Sequence, residues 1–188
     1  MTPIMWRHLP NLITVLRIAL VLPLFWLIVE QRYGSALLVA GLAGVSDAAD
    51  GYLARRFDWR SRLGGLLDPI ADKLLLIASF LALTLVGALP AWLLALVVVR
   101  DLVIVAGAVA YHYLIGPFAA SPSLLSKATT LVQILCVLAE LLHLSGLAEP
   151  PLLAALIGLT AALTVLSGVH YVVVWTVRAA RPSKGEKQ

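Results

Sequence analysis

The chain has 188 residues, 61% of them hydrophobic and 13% charged, with a mean hydropathy of +0.97. Soluble domains are nearer half apolar, so an ordinary soluble fold is excluded and an integral membrane protein is expected. The formal net charge is +4 and the pI near 9.5; in a membrane protein such an excess reports cytoplasmic loops and anionic headgroups, not nucleic acid.

A hydrocarbon core about 30 Å thick takes roughly 20 helical residues to cross, and six segments are long enough. The expectation is an all-α fold of six transmembrane helices at 11–30, 35–54, 64–88, 91–113, 124–146 and 151–177, forming a single membrane domain over 1–188. Residues 1–10 contain "TPIMWRHLP", read as an interfacial segment with Trp6 and Arg7 at headgroup level. No cleavable signal peptide is expected, because the first apolar run is too long and lacks a small-residue cleavage site. Breakers separate the spans: Tyr33-Gly34, the charged stretch 55–62, Gly87 with Pro90, 116–122, and Glu149-Pro150-Pro151. A polar tail occupies 181–188. The single cysteine, Cys136, lies in an apolar run and is expected to pack in the core or against lipid.

The basic residues set the orientation. With the N-terminus inside, the inner ends hold ten: Arg7, Arg55, Arg56, Arg60, Arg62, Lys127, Arg178, Arg181, Lys184 and Lys187. The outer loops hold only Arg32, while Arg17, Lys73 and Arg100 fall within helices. Both termini are therefore expected to be cytoplasmic.

Against this background "SDAADGYLARRFDWRSRLGGLLDPIADK", residues 46–73, is anomalous, because it sets four aspartates in or beside apolar spans. Burying an ionised carboxylate costs several kcal/mol, so four together need a shared partner. Asp47 and Asp50 are three residues apart and Asp68 and Asp72 four apart, so each pair shares a helix face. At about 1.5 Å per residue, the first pair lies roughly 12 and 8 Å inward from Arg55. The second lies roughly 9 and 15 Å inward from Arg62, so the pairs can face each other on antiparallel neighbours. Their repulsion calls for cations. Oxygen-only ligands suit Mg²⁺, Mn²⁺ or Ca²⁺, and no Cys/His cluster points to zinc. Two such ions are a common device for phosphoryl transfer. Separate structural ion pairs with nearby arginines are the competing explanation, and they do not account for the regular spacing on two helices.

Gly51 and Ala54 leave the helix face beside Asp50 bare for a flat ligand, and Gly64 does the same on the next span. Close helix packing explains such small residues equally well. Arg55 at the mouth can neutralise a phosphate, and Pro69 is expected to bend the third helix beside its carboxylates.

Taken together, the stretch resembles the signature of the CDP-alcohol phosphotransferase (phosphatidyltransferase) family, D-x2-D-G-x2-A-R-x8-G-x3-D-x3-D. The fixed positions here are Asp47, Asp50, Gly51, Ala54, Arg55, Gly64, Asp68 and Asp72, with no departure in type or spacing. The resemblance implies a six-helix membrane core, usually homodimeric, with its site open to the cytoplasmic interface, here of a bacterial inner membrane. It implies attack of an alcohol on the phosphorus of CDP-diacylglycerol with release of CMP. By the same resemblance Asp47, Asp50, Asp68 and Asp72 hold two divalent cations, Mg²⁺ or Mn²⁺, and Asp72 is the base for the acceptor hydroxyl. Gly51, Ala54 and Arg55 would receive the cytidine and phosphates. "PNLITVLR" is similar to the first span of several members, so Asn11, Thr14 and Arg17 line the nucleotide end, with helix capping as the other account of Asn11.

For the acceptor, Arg100-Asp101 and Ser126-Lys127, with Tyr111, Tyr113, Thr130 and Gln133, look more like the family's cardiolipin synthases of eukaryotic type. The phosphatidylglycerophosphate synthases are the next most similar branch. Arg100 and Lys127 are the expected acceptor-binding cations, facing phosphatidylglycerol or, in the second branch, glycerol 3-phosphate. A cation-conducting transporter could also carry core carboxylates, but it leaves the glycine, alanine and arginine at fixed offsets unexplained.

Overall fold

The computed structural model describes the backbone at residues 9–57, 62–114, 123–147 and 153–180. Side chains are described at 15–46, 70–110, 113, 123–147 and 153–177. The expected interfacial segment with Trp6 and Arg7, residues 58–61, 115–122 and 148–152, and the expected polar tail at 181–188 lie outside the described residues.

The described chain is all-α. Its helices are α1 (Leu9–Val29), α2 (Tyr33–Phe57), α3 (Arg62–Leu85), α4 (Ala91–Leu114), α5 (Leu124–Leu144) and α6 (Leu153–Ala180). Each coincides with an expected span to within a few residues at its ends. Among the described residues, the runs Ala91–Ala110, Leu124–Leu144 and Leu153–Val177 are long and apolar enough to cross a membrane. Val15–Val29 and Tyr33–Ser46 are shorter apolar runs. Large side chains such as Leu22, 76% exposed, and Leu38, 72% exposed, cover the outer surface, as apolar surroundings would favour.

The ends of α1, α3 and α5 are closed in one way. The residue after each cap takes a left-handed φ: 59° at Gln31, 79° at Gly87 and 71° at Gly146. The next amide then reaches back to the last turn, Arg32 to the Leu27 carbonyl, Ala88 to Leu83 and Leu147 to Leu142, satisfying carbonyls the helix leaves open. Gly87 and Pro90 thus break the chain as expected. The first break differs. Tyr33 and Gly34 sit in the opening turn of α2, and the reversal falls at Gln31. A glutamine in the left-handed region gives no sequence signal, because glycine is the usual occupant.

Short connections make successive helices antiparallel. α1 packs on both α2 and α3, while α6 packs on α4 and α5. The halves join where α5 meets α2 and α3, and where α3 meets α4. The buried core runs through Leu24, Ile28, Phe80, Leu83, Leu93 and Leu141. Cys136 is fully buried in it, which decides for core packing over lipid contact.

Among the described residues α2 and α3 make no direct packing contact. They flank a cavity of about 420 Å³ lined by Ala40, Gly41, Ala43 and Gly44 of α2 and by Asp72, Leu75, Leu76 and Ser79 of α3. A Cβ built on Gly41 or Gly44 would meet nothing within 4 Å. These small residues hold a space open between the two helices and do not bring the backbones together.

Candidate active site

The cavity is apolar along most of its wall and charged at one end. α1 contributes Arg17, α3 Asp72 and Lys73, and α4 Arg100 and Asp101. Three cations against two carboxylates leave this described part of the wall with a net charge of +1.

Arg17 is 1% exposed, and its Nη1 donates to Asp72 Oδ1 at 2.8 Å. A buried guanidinium in an apolar helix is costly unless paired, and its partner is the last carboxylate of the signature. The Asp72 side chain is 47% exposed and lines the cavity, with Arg17 as a described partner. Arg17 therefore anchors Asp72 from α1. The expectation that Arg17 lines the nucleotide end gains a second component, since its described contact is with the expected base.

Lys73 follows directly on α3 and reaches Asp101 Oδ2 at 3.4 Å. Asp101 Oδ1 accepts from Arg100 Nη1 at 2.7 Å. Arg100 Nη2 donates to Ser126 Oγ at 2.6 Å and to Ser167 Oγ at 2.9 Å, and Nε to Ser167 at 3.3 Å. The Arg100 fork is thus directed at α5 and α6 and at its own neighbour, which suits a planar five-donor group. Ser126 owes its position to an N-cap, as Ser123 Oγ accepts from the Ser126 amide at 3.2 Å and starts α5. Further along the seam, Gln133 donates to Thr164 at 3.0 Å and Thr129 to the Leu163 carbonyl at 3.2 Å. Hydroxyl and amide pairs of this kind join helices where water is absent.

Removing the hub of this network has a definite expected cost. Arg100→Ala leaves Asp101 only its longer bond to Lys73 and strands two serine hydroxyls. Breaking one side of a buried ion pair typically costs about 3–5 kcal/mol. A clear fall in the unfolding midpoint of the detergent-solubilised protein is expected, and an unchanged midpoint would show that the network carries no stability.

Of the other sequence-derived residues, Asn11, Thr14, Asp47, Asp50, Gly51, Ala54, Arg55, Gly64 and Asp68 have described backbone but lie outside the described side chains. Asn11 and Thr14 lie on α1 and the first five of the rest on α2, with Gly64 and Asp68 on α3. Continuous helix through both aspartate pairs supports the i,i+3 and i,i+4 spacing on which a shared face rests. Pro69 falls within the continuous span of α3, and its side chain is outside the description. Lys127 is exposed in the first turn of α5 and is not among the cavity-lining residues, although its neighbour Ser126 binds Arg100. Of the two expected acceptor cations, only Arg100 lines the cavity.

Sequence reasoning gave no role to Lys73, Ser126 or Ser167. A signal for Lys73 existed. Lys73, Arg100 and Asp101 are charges set in apolar helices, and intramembrane charges seek one another. Nothing comparable marks the serines, which occur widely in such helices.

The sequence profile of CDP-alcohol phosphatidyltransferases matches residues 7–173, nearly the whole of the described bundle. The chain belongs to that family. Its members use CDP-linked alcohol donors and generally require divalent cations, and the oxygen-only donor set of α2 and α3 fits such ions. Among relatives, the chain is 34% identical over 159 residues to a human cardiolipin synthase (CMP-forming), covering 74% of this chain and 53% of that one. A Streptomyces coelicolor cardiolipin synthase (CMP-forming) is 44% identical over 100 residues, covering 50% of this chain and 46% of its own length. A probable phosphatidylglycerophosphate synthase of Mycobacterium tuberculosis is 33% identical over 190 residues, covering 96% of this chain and 86% of its own. The chain spans about half the length of the first two relatives.

Proposed function

We propose that this protein transfers a phosphatidyl group from CDP-diacylglycerol to phosphatidylglycerol, forming cardiolipin and CMP. The acceptor hydroxyl oxygen bonds to the lipid-bearing phosphorus, the bond to the bridging pyrophosphate oxygen breaks, and CMP leaves. The hydroxyl proton passes to Asp72, which lines the cavity and accepts from Arg17 at 2.8 Å. Asp47, Asp50, Asp68 and Asp72 would hold two divalent cations, which supply charge neutralisation at the pyrophosphate and its leaving group. Gly51, Ala54, Arg55 and Gly64, with Asn11 and Thr14, receive the CDP moiety. Six membrane-spanning helices in one domain, cytoplasmic termini and a site at the cytoplasmic face of a bacterial inner membrane complete the reading, in a homodimer. Lys127, exposed at the start of α5, would meet headgroups.

The observation that carries the choice of acceptor is the 2.7 Å pairing of Asp101 with Arg100. It reduces the described wall to a net +1, which matches one phosphodiester charge better than a dianionic phosphate. The apolar remainder of the cavity also suits an acceptor that arrives from the bilayer with its acyl chains. A second reading, phosphatidylglycerophosphate synthesis from glycerol 3-phosphate, is favoured by the mycobacterial relative that matches 96% of the chain. Family membership argues against the transporter reading.

Purified protein supplied with CDP-diacylglycerol and either acceptor separates the two. Cardiolipin from phosphatidylglycerol, with little product from glycerol 3-phosphate, is the expected result. Robust phosphatidylglycerophosphate with no cardiolipin would move the assignment to the second reading.

A further inference from the structure

Three cations line the charged end of the cavity, and they are not equally committed. Arg17 is buried against Asp72. Arg100 is 6% exposed and distributes its donors over Asp101, Ser126 and Ser167 at 2.6 to 3.3 Å. Lys73 has a side chain 37% exposed, and its bond to Asp101 is 3.4 Å long, beyond the usual hydrogen-bond range of about 2.7–3.2 Å. An ammonium carries three donors, and one carboxylate oxygen at that distance does not use them up.

We infer that Lys73 is the residue that binds the phosphate of the acceptor, and that Asp101, fixed by Arg100, is the positioning residue that aims it and limits its charge. This deepens the proposed function and rests on its assignment of Asp72 as the base. Lys73 and Asp72 are consecutive on α3, about 100° apart around the helix, and both line the cavity. In phosphatidylglycerol the phosphate and the attacking hydroxyl are separated by one glycerol unit. A phosphate on Lys73 and a hydroxyl on Asp72 therefore make use of neighbouring side chains of one rigid element. Arg100 acts through Asp101: three of its described bonds tie α4 to α5 and α6 and the fourth holds Asp101, so the carboxylate that holds Lys73 cannot swing away. The cavity face then meets one negative charge with a net +1, and loss of Asp101 would raise that to +2.

Steady-state kinetics with each substrate varied in turn tests this. Lys73→Met is expected to raise the acceptor KM at least about tenfold, the effect of roughly 1.4 kcal/mol, with the CDP-diacylglycerol KM within about twofold of normal. Lys73→Arg restores most of the loss, because the charge returns. Asp101→Asn shifts the ratio of glycerol 3-phosphate use to phosphatidylglycerol use upward about tenfold, since a dianion gains from the added charge. An equal rise in both KM values, or an unchanged acceptor KM, overturns the role of Lys73. An unchanged acceptor ratio in folded Asp101→Asn overturns that of Asp101, and the two lysine variants decide if that protein does not fold. Should the unmodified protein make only phosphatidylglycerophosphate, the choice of natural acceptor fails, while the KM comparison, run with glycerol 3-phosphate, still judges Lys73.

Discussion

Chelation is expected to abolish CMP release, and Mg²⁺ or Mn²⁺ to restore it, with Asp47→Asn and Asp50→Asn inactive even when metal is replete. Two carboxylates lie three residues apart on α2 and two four apart on α3, and the proposed function has an anionic pyrophosphate bind beside this negative charge. Unaided, that charge repels the donor. Divalent cations held by these carboxylates would reverse the sign of the interaction and supply charge neutralisation at the leaving group. A loss of about 4 kcal/mol of that stabilisation corresponds to roughly a thousandfold in rate. Each Asn variant removes one anionic ligand and leaves the side-chain volume nearly unchanged, so the fold should persist. Metal content measured on the purified protein supplies a readout apart from turnover: it should fall in both variants. Full activity in chelator, with metal verified as absent, would defeat the two-cation site.

The bundle was largely legible because its signals are redundant. Apolar runs of spanning length, separated by Gly87 with Pro90, specify a helix count, and the described helices follow them. Turn chemistry was legible where glycine takes the left-handed position and illegible at Gln31, which adopts it without the residue type that normally announces it. The acidic signature was equally plain, because charge in an apolar span is rare and regular spacing rarer. What could not be read was tertiary. Helical periodicity says which residues share a face but not what that face meets, so the cavity that α2 and α3 flank, bordered by Gly41 and Gly44, was not legible. The partner of Lys73, 28 positions away on α4, was likewise invisible until the helices were assembled.

The other large effect is expected at Asp72. Asp72→Asn should lower transfer by about a hundredfold to ten-thousandfold, the range typical of a removed general base, while most CDP-diacylglycerol binding persists. The amide is close to isosteric and can still accept from Arg17, so the side chain keeps its place; what it loses is the capacity to take the hydroxyl proton. The position of Asp72 supports this separation of roles, because its half-exposed side chain lines the cavity and is tethered by a fully buried arginine at 2.8 Å. Tethering fixes the direction from which the acceptor must approach, which is why Arg17→Met should also depress turnover, though by less than Asp72→Asn. Binding of CDP-diacylglycerol to each variant, measured without acceptor, discriminates between base and ligand. If donor affinity in Asp72→Asn collapses as far as turnover does, Asp72 serves chiefly to hold the cations and the proton must leave by another route.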